Sequence, residues 1–313
     1  MRRYLAEFLS DRDVVDLPPW LWQPVLRGAI LPFRPRRTAE AYRLIWTEEG
    51  SPLAAITRRQ TKALQHRLGS AYVVDYAMRY GTPGIASAVG SLAEAGCARI
   101  LAAPLYPQFS GATTGTAEKA LLAAFAAMDA DIPMRILPPY YADSIYIGAL
   151  AANLERQLAA LEFEPQRLLL SFHGLPQRTI DRGDPYFLHC METARLLDER
   201  LPIAIDVAFQ SRFGRAKWLE PATDVTLASY PADGITRVAI AAPGFSVDCI
   251  ETLEELGIRG RETFLGSGGE RFARLDCLND SPEGMAMFEE LVRRELAGWD
   301  PREYSAETAT GEK

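Results

Sequence analysis

No two of the four cysteines, Cys97, Cys190, Cys249 and Cys277, lie close enough to read as a pair. Without a Cys-x-x-Cys spacing the chain offers neither a zinc framework nor a disulfide scaffold, and a reducing, cytoplasmic compartment is the expectation. No apolar run approaches the ~20 residues of a membrane span. Arg2 and Arg3 are not followed by the apolar stretch of a secretory signal. No glycine-rich phosphate loop is present, so no nucleotide cofactor is expected. Basic runs are missing too, and the net charge is −7, which argues against nucleic acid, whose phosphates call for clustered Lys and Arg. Histidine is scarce: His66, His173 and His189 are all there is.

What remains is an ordinary globular composition, 48% hydrophobic and 24% charged over 313 residues, enough for one large or two ordinary domains. Strand candidates recur at Ala71–Tyr76, Arg99–Ala103, Met134–Leu137, Leu168–Phe172, Ile203–Phe209 and Arg237–Ala241. Helical patterns fill the gaps at Gly115–Met128, Ser144–Leu161, Pro185–Glu199 and Ser281–Ala297. Strands alternating with helices imply a mainly parallel sheet covered on both faces. Arg99–Pro104 and Arg237–Pro243 share a plan, a basic residue, an apolar strand and Ala-Ala-Pro; Tyr80-Gly-Thr-Pro83 echoes His173-Gly-Leu-Pro176. The echoes suggest an α/β fold of two similar doubly wound, Rossmann-like halves, residues 1–138 and 139–280, with a binding cleft between them. The helix at 281–299 is expected to join the first half, and 300–313, all polar at its end, to be disordered. Convergence on good turn chemistry would also produce such echoes.

The densest information lies in Arg167–Tyr186, RLLLSFHGLPQRTIDRGDPY. A short apolar run delivers His173 into a Gly-Leu-Pro turn, at the carboxyl end of a buried strand where open α/β sheets place ligands. Asp184 and Pro185 then suit an N-cap and a first helical turn. A histidine after a strand is, by itself, most simply structural. The segment Pro243–Gly257 carries Asp248, Glu251 and Glu255 three and four apart, a short acidic ladder on one face if it is helical. From spacing alone, a solvated helix face with dipole-favoured carboxylates is the simpler account. Leu17–Phe33, with four prolines and two tryptophans, cannot be one regular helix. It either caps a core or forms an apolar lip that covers a flat, greasy ligand or rests on a membrane.

Taken together these strings resemble the ferrochelatases, which insert Fe²⁺ into a porphyrin in haem synthesis, and the resemblance runs from Arg3 to about Trp299. It implies a chelatase-like fold and protoporphyrin and ferrous iron as substrates, the latter not a resident cofactor. It implies that His173 and Glu251, the latter in an S-x-D-x-I-E-T-L context, bind iron and take part in proton removal, with Asp248 and Glu255 as an auxiliary acidic ladder. Ala103–Thr116 is similar to the family's P-x-Y-P-Q-[YF]-S-x-x-T-T-G segment, which puts Tyr106 beside the porphyrin. Tyr42, Ser51, Arg34, Arg79 and Tyr80 match further porphyrin-contacting positions, Arg34 as a partner for a propionate. Phe209–Pro221 matches a segment that holds the cleft wall. The iron–sulfur cluster of some relatives is not expected, for want of clustered cysteines, and no obligate protein partner is implied. Peripheral membrane contact is expected through Leu17–Phe33.

The chain departs from the family pattern in three places. Cys249 stands where some relatives have histidine, and Arg259 where some have an acid. Members normally open with an apolar strand ending in an Asn-x-Gly-x-Pro turn before the Arg2–Asp11 string, and here only Met1 precedes it. A central strand and a cleft-lining turn are therefore expected to be missing, which a misassigned start explains better than a genuine truncation. The alternatives to ferrochelatase are a chelatase for another tetrapyrrole or metal, which the scarcity of histidine disfavours, and a non-catalytic porphyrin-binding module.

Overall fold

Leu168, Leu170 and Phe172 face one core while Leu169 faces another, the period-two alternation of a strand covered on both sides. This strand and its neighbours make the larger of two parallel sheets in the computed structural model, which describes residues 2–299 other than 13, 16–17, 129–131 and 215. The first half contributes β1 (Ile100–Ala102) and β2 (Met134–Ile136), with Ile100 opposite Met134. The second half contributes β3 (Arg167–His173), β4 (Ile205–Gln210), β5 (Arg237–Ala241) and β6 (Arg271–Arg274), in the order β4-β3-β5-β6.

The helices of the first half are α1 (Arg2–Ser10), α2 (Pro19–Val25), α3 (Leu31–Ile45), α4 (Pro52–Leu68), α5 (Ile85–Glu94) and α6 (Thr116–Ala126). The second half adds α7 (Ser144–Ala159), α8 (Gln177–Asp181), α9 (Tyr186–Asp198), α10 (Thr223–Ser229) and α11 (Arg261–Gly266), and α12 (Pro282–Leu296) closes the fold. α7, α9 and α12 cover one face of the large sheet through Ile147, Leu154, Leu197 and Leu291. α10 and α11 cover the other through Leu227 and Phe264. Ser281 caps α12 by accepting from Gly284 N. That helix packs on α7 as well as on α4 and β1, so it is shared by both halves.

One expected strand needs correction, and two elements take a form the sequence pattern did not specify. Ala71–Tyr76 is not a paired strand: it begins in a turn and runs on without ladder partners among the described residues. The Gln65 side chain on α4 takes up its backbone, accepting from Val74 N at 2.9 Å and donating to Tyr72 O at 3.0 Å. A large cavity separates Val73–Met78 from Ile100–Ala102, and β1 has no ladder partner but β2 among the described residues. β6 is an edge strand with two arginines, which the apolar pattern did not reveal. The proline-rich stretch is helical from Pro19 onward, through α2, a π-helical turn at Leu26–Ile30, and α3. Pro24 and Pro35 lie inside α2 and α3, and a π turn is the kind of bulge by which a helix accommodates a disrupted ladder. Leu26 and Trp22 anchor it against Leu5 and Leu9, while Trp20, Val25 and Phe33 stay exposed. The tail at 300–313 lies outside the described residues.

Phe172 is completely buried between α9 and the second-half sheet. Phe172→Ala is expected to lower unfolding free energy by roughly 3–5 kcal/mol, read as a fall in the urea midpoint without a change in slope.

Candidate active site

β3 ends at His173, and the turn that follows is forced by packing. A Cβ on Gly174 would lie 2.6 Å from the Gln210 carbonyl oxygen and 3.4 Å from the Trp218 ring. The imidazole Nδ1 sits 2.7 Å from the Gly174 carbonyl. A carbonyl can only accept, so Nδ1 carries a proton, and in the neutral ring the lone pair is on Nε2. Nε2 has no hydrogen-bond partner among the described residues, and His173 lines the cavity beside Phe245.

The carboxylates come from the segment after β5. Its helix starts at Ile250 and runs as a π-helix over Glu251–Gly260 before continuing as α11. Extended π geometry is rare and concentrates at functional sites. A π turn takes more than four residues, so Glu251 and Glu255 stand nearly in line, and both line the cavity. Ser211 grips the Glu255 carboxylate, its N–H donating at 2.8 Å and its hydroxyl at 2.6 Å. It does so from a left-handed conformation, φ 65°, a strain of about 1–2 kcal/mol for a residue with a Cβ. Glu254 also lines the cavity, is buried, and pairs with Arg259 at 3.0 Å.

Asp248 is not part of this row. It precedes the helix and is 3% exposed. Its carboxylate accepts from Thr252 Oγ1, Arg274 Nη1, Asn279 Nδ2 and Cys277 N. That is a junction joining the π-helix to the β6–α12 loop, and the expected ladder shortens to Glu251 and Glu255.

The walls are aromatic. Tyr106, Tyr42 and Tyr80 all line the cavity, as do Arg34 and Arg79. Burial, and to a lesser degree the charge of Glu251, pushes the Tyr42 and Tyr106 phenols above their ordinary range. Tyr4 on α1 behaves in the same way and is a wall residue not singled out from the sequence; the Arg2–Asp11 string that carries the family resemblance contained the signal. Arg34 stacks 5.2 Å over Phe213, linking α3 to the loop after β4. Arg79 is committed to Asp11 and Thr116 and stacks on Tyr80, whose hydroxyl also donates to Asp11. Ser51 is the N-cap of α4 and does not line the cavity. The cavity measures about 2330 Å³, well beyond the ~300–1,000 Å³ of common ligand pockets, because it continues from the cleft into the first half beside β1.

Two parallel α/β halves that close on an apolar cleft edged by a histidine and carboxylates have the architecture of the chelatases. SirB from Bacillus subtilis, solved with Fe³⁺, superposes with a TM-score of 0.56 over 78% of this chain and 91% of that one, at 15% identity. CbiX, described as the terminal enzyme for biosynthesis of sirohaem in denitrifying bacteria, gives 0.51 over 78% and 94%, at 17% identity. At such identities the likeness concerns the fold. Sequence narrows the class: the Ferrochelatase family profile matches residues 1–296. The ferrochelatase of Mesorhizobium japonicum is 48% identical across 96% of this chain and 87% of that protein, and that of Methylocella silvestris 48% across 96% and 89%. The chain belongs to the ferrochelatase family, lyases that insert iron into a porphyrin.

Asp248→Ala tests the junction. It is expected to cost roughly 3 kcal/mol, the low end for breaking a buried ion pair, because Arg274 keeps Asp276 as a partner. The folded fraction, measured by circular dichroism, should retain near-normal turnover. Lost turnover in a fully folded variant would return Asp248 to the site.

Proposed function

We propose that His173 and Glu251 perform the ferrochelatase reaction in this cleft, on protoporphyrin IX and ferrous iron, to give protohaem and two protons. The observation that carries the assignment is the tie of Nδ1–H to the Gly174 carbonyl, which leaves Nε2 as the ring nitrogen without a partner among the described residues, in the apolar cavity that Glu251 also lines. Two pyrrole N–H bonds break, and the four pyrrole nitrogens bond to Fe²⁺, whose oxidation state does not change. His173 Nε2 takes one proton. Glu251 meets the ferrous ion with a hard oxygen ligand, and with Glu255 one turn on it carries the second proton outward. The aromatic and aliphatic walls hold the macrocycle, and Arg34 supplies a cation for a propionate. Iron enters as substrate, and the chemistry calls on no resident cofactor.

Within the same proposal the protein works in the cytoplasm and touches the membrane surface from which an apolar porphyrin can be drawn. No helix among the described residues is long and apolar enough to cross a membrane. Support for a peripheral contact comes from Trp20 and Phe33, 74% and 75% exposed, beside Leu21 and Val25 on the lip.

His173→Ala should lower kcat by roughly 10²–10⁴-fold, the usual share of a general base, with porphyrin affinity by fluorescence quenching changed only a few-fold. Full activity in an anaerobic Fe²⁺ assay would remove histidine from the role. Glu251→Gln should lower kcat comparably while the porphyrin still binds. Normal binding with no metallation in the unmodified chain would favour the porphyrin-carrier alternative.

The double variant Trp20→Ser, Phe33→Ser should lose co-sedimentation with phospholipid vesicles while keeping turnover on detergent-dispersed porphyrin. Unchanged co-sedimentation would exclude the lip as the contact.

A further inference from the structure

Gln210, the last residue of β4, stands opposite His173 in the β3–β4 ladder. Its three polar groups reach three parts of the site. The backbone carbonyl accepts from Gly174 N at 2.7 Å, Oε1 accepts from Ser171 Oγ at 2.8 Å, and Nε2 donates to the Glu251 carbonyl at 3.0 Å.

Proton bookkeeping orients the amide. The Glu251 carbonyl only accepts, so the NH₂ must face it. Oε1 only accepts, so Ser171 gives it its single proton. Thr223 Oγ1, 2.8 Å from Ser171 Oγ, is then the donor to Ser171. A one-way chain runs Thr223, Ser171, Gln210, Glu251 through side chains that are 4%, 0% and 3% exposed before it reaches the helix. Buried polar groups in a sheet core are costly unless satisfied, and here each satisfies the next. The β3–β4 ladder does not need them, because its backbone groups pair in register from Leu168 to His173.

We propose that Gln210 is a positioning residue for iron insertion, setting the separation and orientation of His173 and Glu251 by holding the backbone beside one and the backbone of the other. The proposal rests on those two residues being the catalytic pair. Its backbone clamp has no slack, since a Cβ at position 174 would meet the Gln210 carbonyl oxygen at 2.6 Å. Its side-chain clamp grips the first carbonyl of the π-helix, so a lost amide lets that turn shift, and misplacement near 1 Å costs about 10²-fold in rate.

Gln210→Met keeps the length of the side chain and removes both side-chain hydrogen bonds. Expected are a folded protein, porphyrin Kd and KM within about threefold of the unmodified chain, and a kcat lowered ~10–100-fold, the split that misplacement rather than lost binding produces. Ser171→Ala frees Oε1 without touching Glu251 and should fall between. The proposal is overturned if Gln210→Met keeps kcat within twofold, or if its lost activity only tracks a lost folded fraction in circular dichroism. His173→Ala and Glu251→Gln are assayed beside them. Loss in those two with full activity in Gln210→Met discards the positioning role and leaves the pair standing. Activity retained in His173→Ala and Glu251→Gln discards the pair, and the proposal with it.

Discussion

Everything at this site hangs from a strand buried on both faces. Leu168, Leu169, Leu170, Ser171 and Phe172 of β3 have no solvent exposure, and cores lie above and below them. Side chains locked by packing cannot drift, so the last residue of the strand, His173, inherits a fixed origin. The neighbours on either side, β4 and β5, end at the same edge. β4 supplies Gln210 and leads directly into the strained Ser211, and β5 runs into the turn that leads to Glu251. The carboxyl edge of one immobile sheet thus places an imidazole, an amide and two carboxylates, the arrangement expected of open α/β sheets.

The electrical character of the cleft follows from burial. Cys249 is held well above the usual thiol range, first by burial and then by the charge of Glu251. It therefore faces the cavity as a neutral thiol and not as a soft thiolate. Tyr4, Tyr42 and Tyr106 are likewise held protonated. Glu251, Glu254 and Glu255 share this wall, where Arg259 pairs with Glu254 and lies 3.8 Å from Glu255. The row of Glu251 and Glu255 thus ends in a positive charge where an extended acidic path would have continued.

The strand that carries His173, the cleft and the aromatic walls were legible because each is local: an apolar run, a Gly-Leu-Pro turn, a Tyr-Pro turn. Asp248 was misjudged because its three-residue spacing from Glu251 assumes a regular helix already under way. The helix begins two residues later and winds as a π-helix, and the partners that claim Asp248, Arg274 and Asn279, are far along the chain. Ser51 carried a matching string but stands at the N-cap position of α4, outside the cavity lining. The segment at 71–76 had the composition of a strand, yet pairing belongs to both partners, and Gln65 took its backbone instead. β6 escaped notice because an edge strand can afford two arginines.

The first half leans on the second. Its sheet has two short strands, and the cavity lies along one of them. What positions Tyr106 is accordingly less its own sheet than a clasp from α9 and the turn before it. Asp184 accepts from Ser110 Oγ and Gly111 N, His189 Nδ1 accepts from Phe109 N, and Thr193 Oγ1 accepts from Gln108 Nε2. Those four contacts grip Gln108–Gly111, directly behind Tyr106. α12 braces the same half from below, where Arg67 pairs with Glu289 and Arg135 donates to the Glu295 carbonyl. The cavity wall contributed by the first half is thus set in place by the half that carries His173 and Glu251, and opening the cleft must work against that clasp.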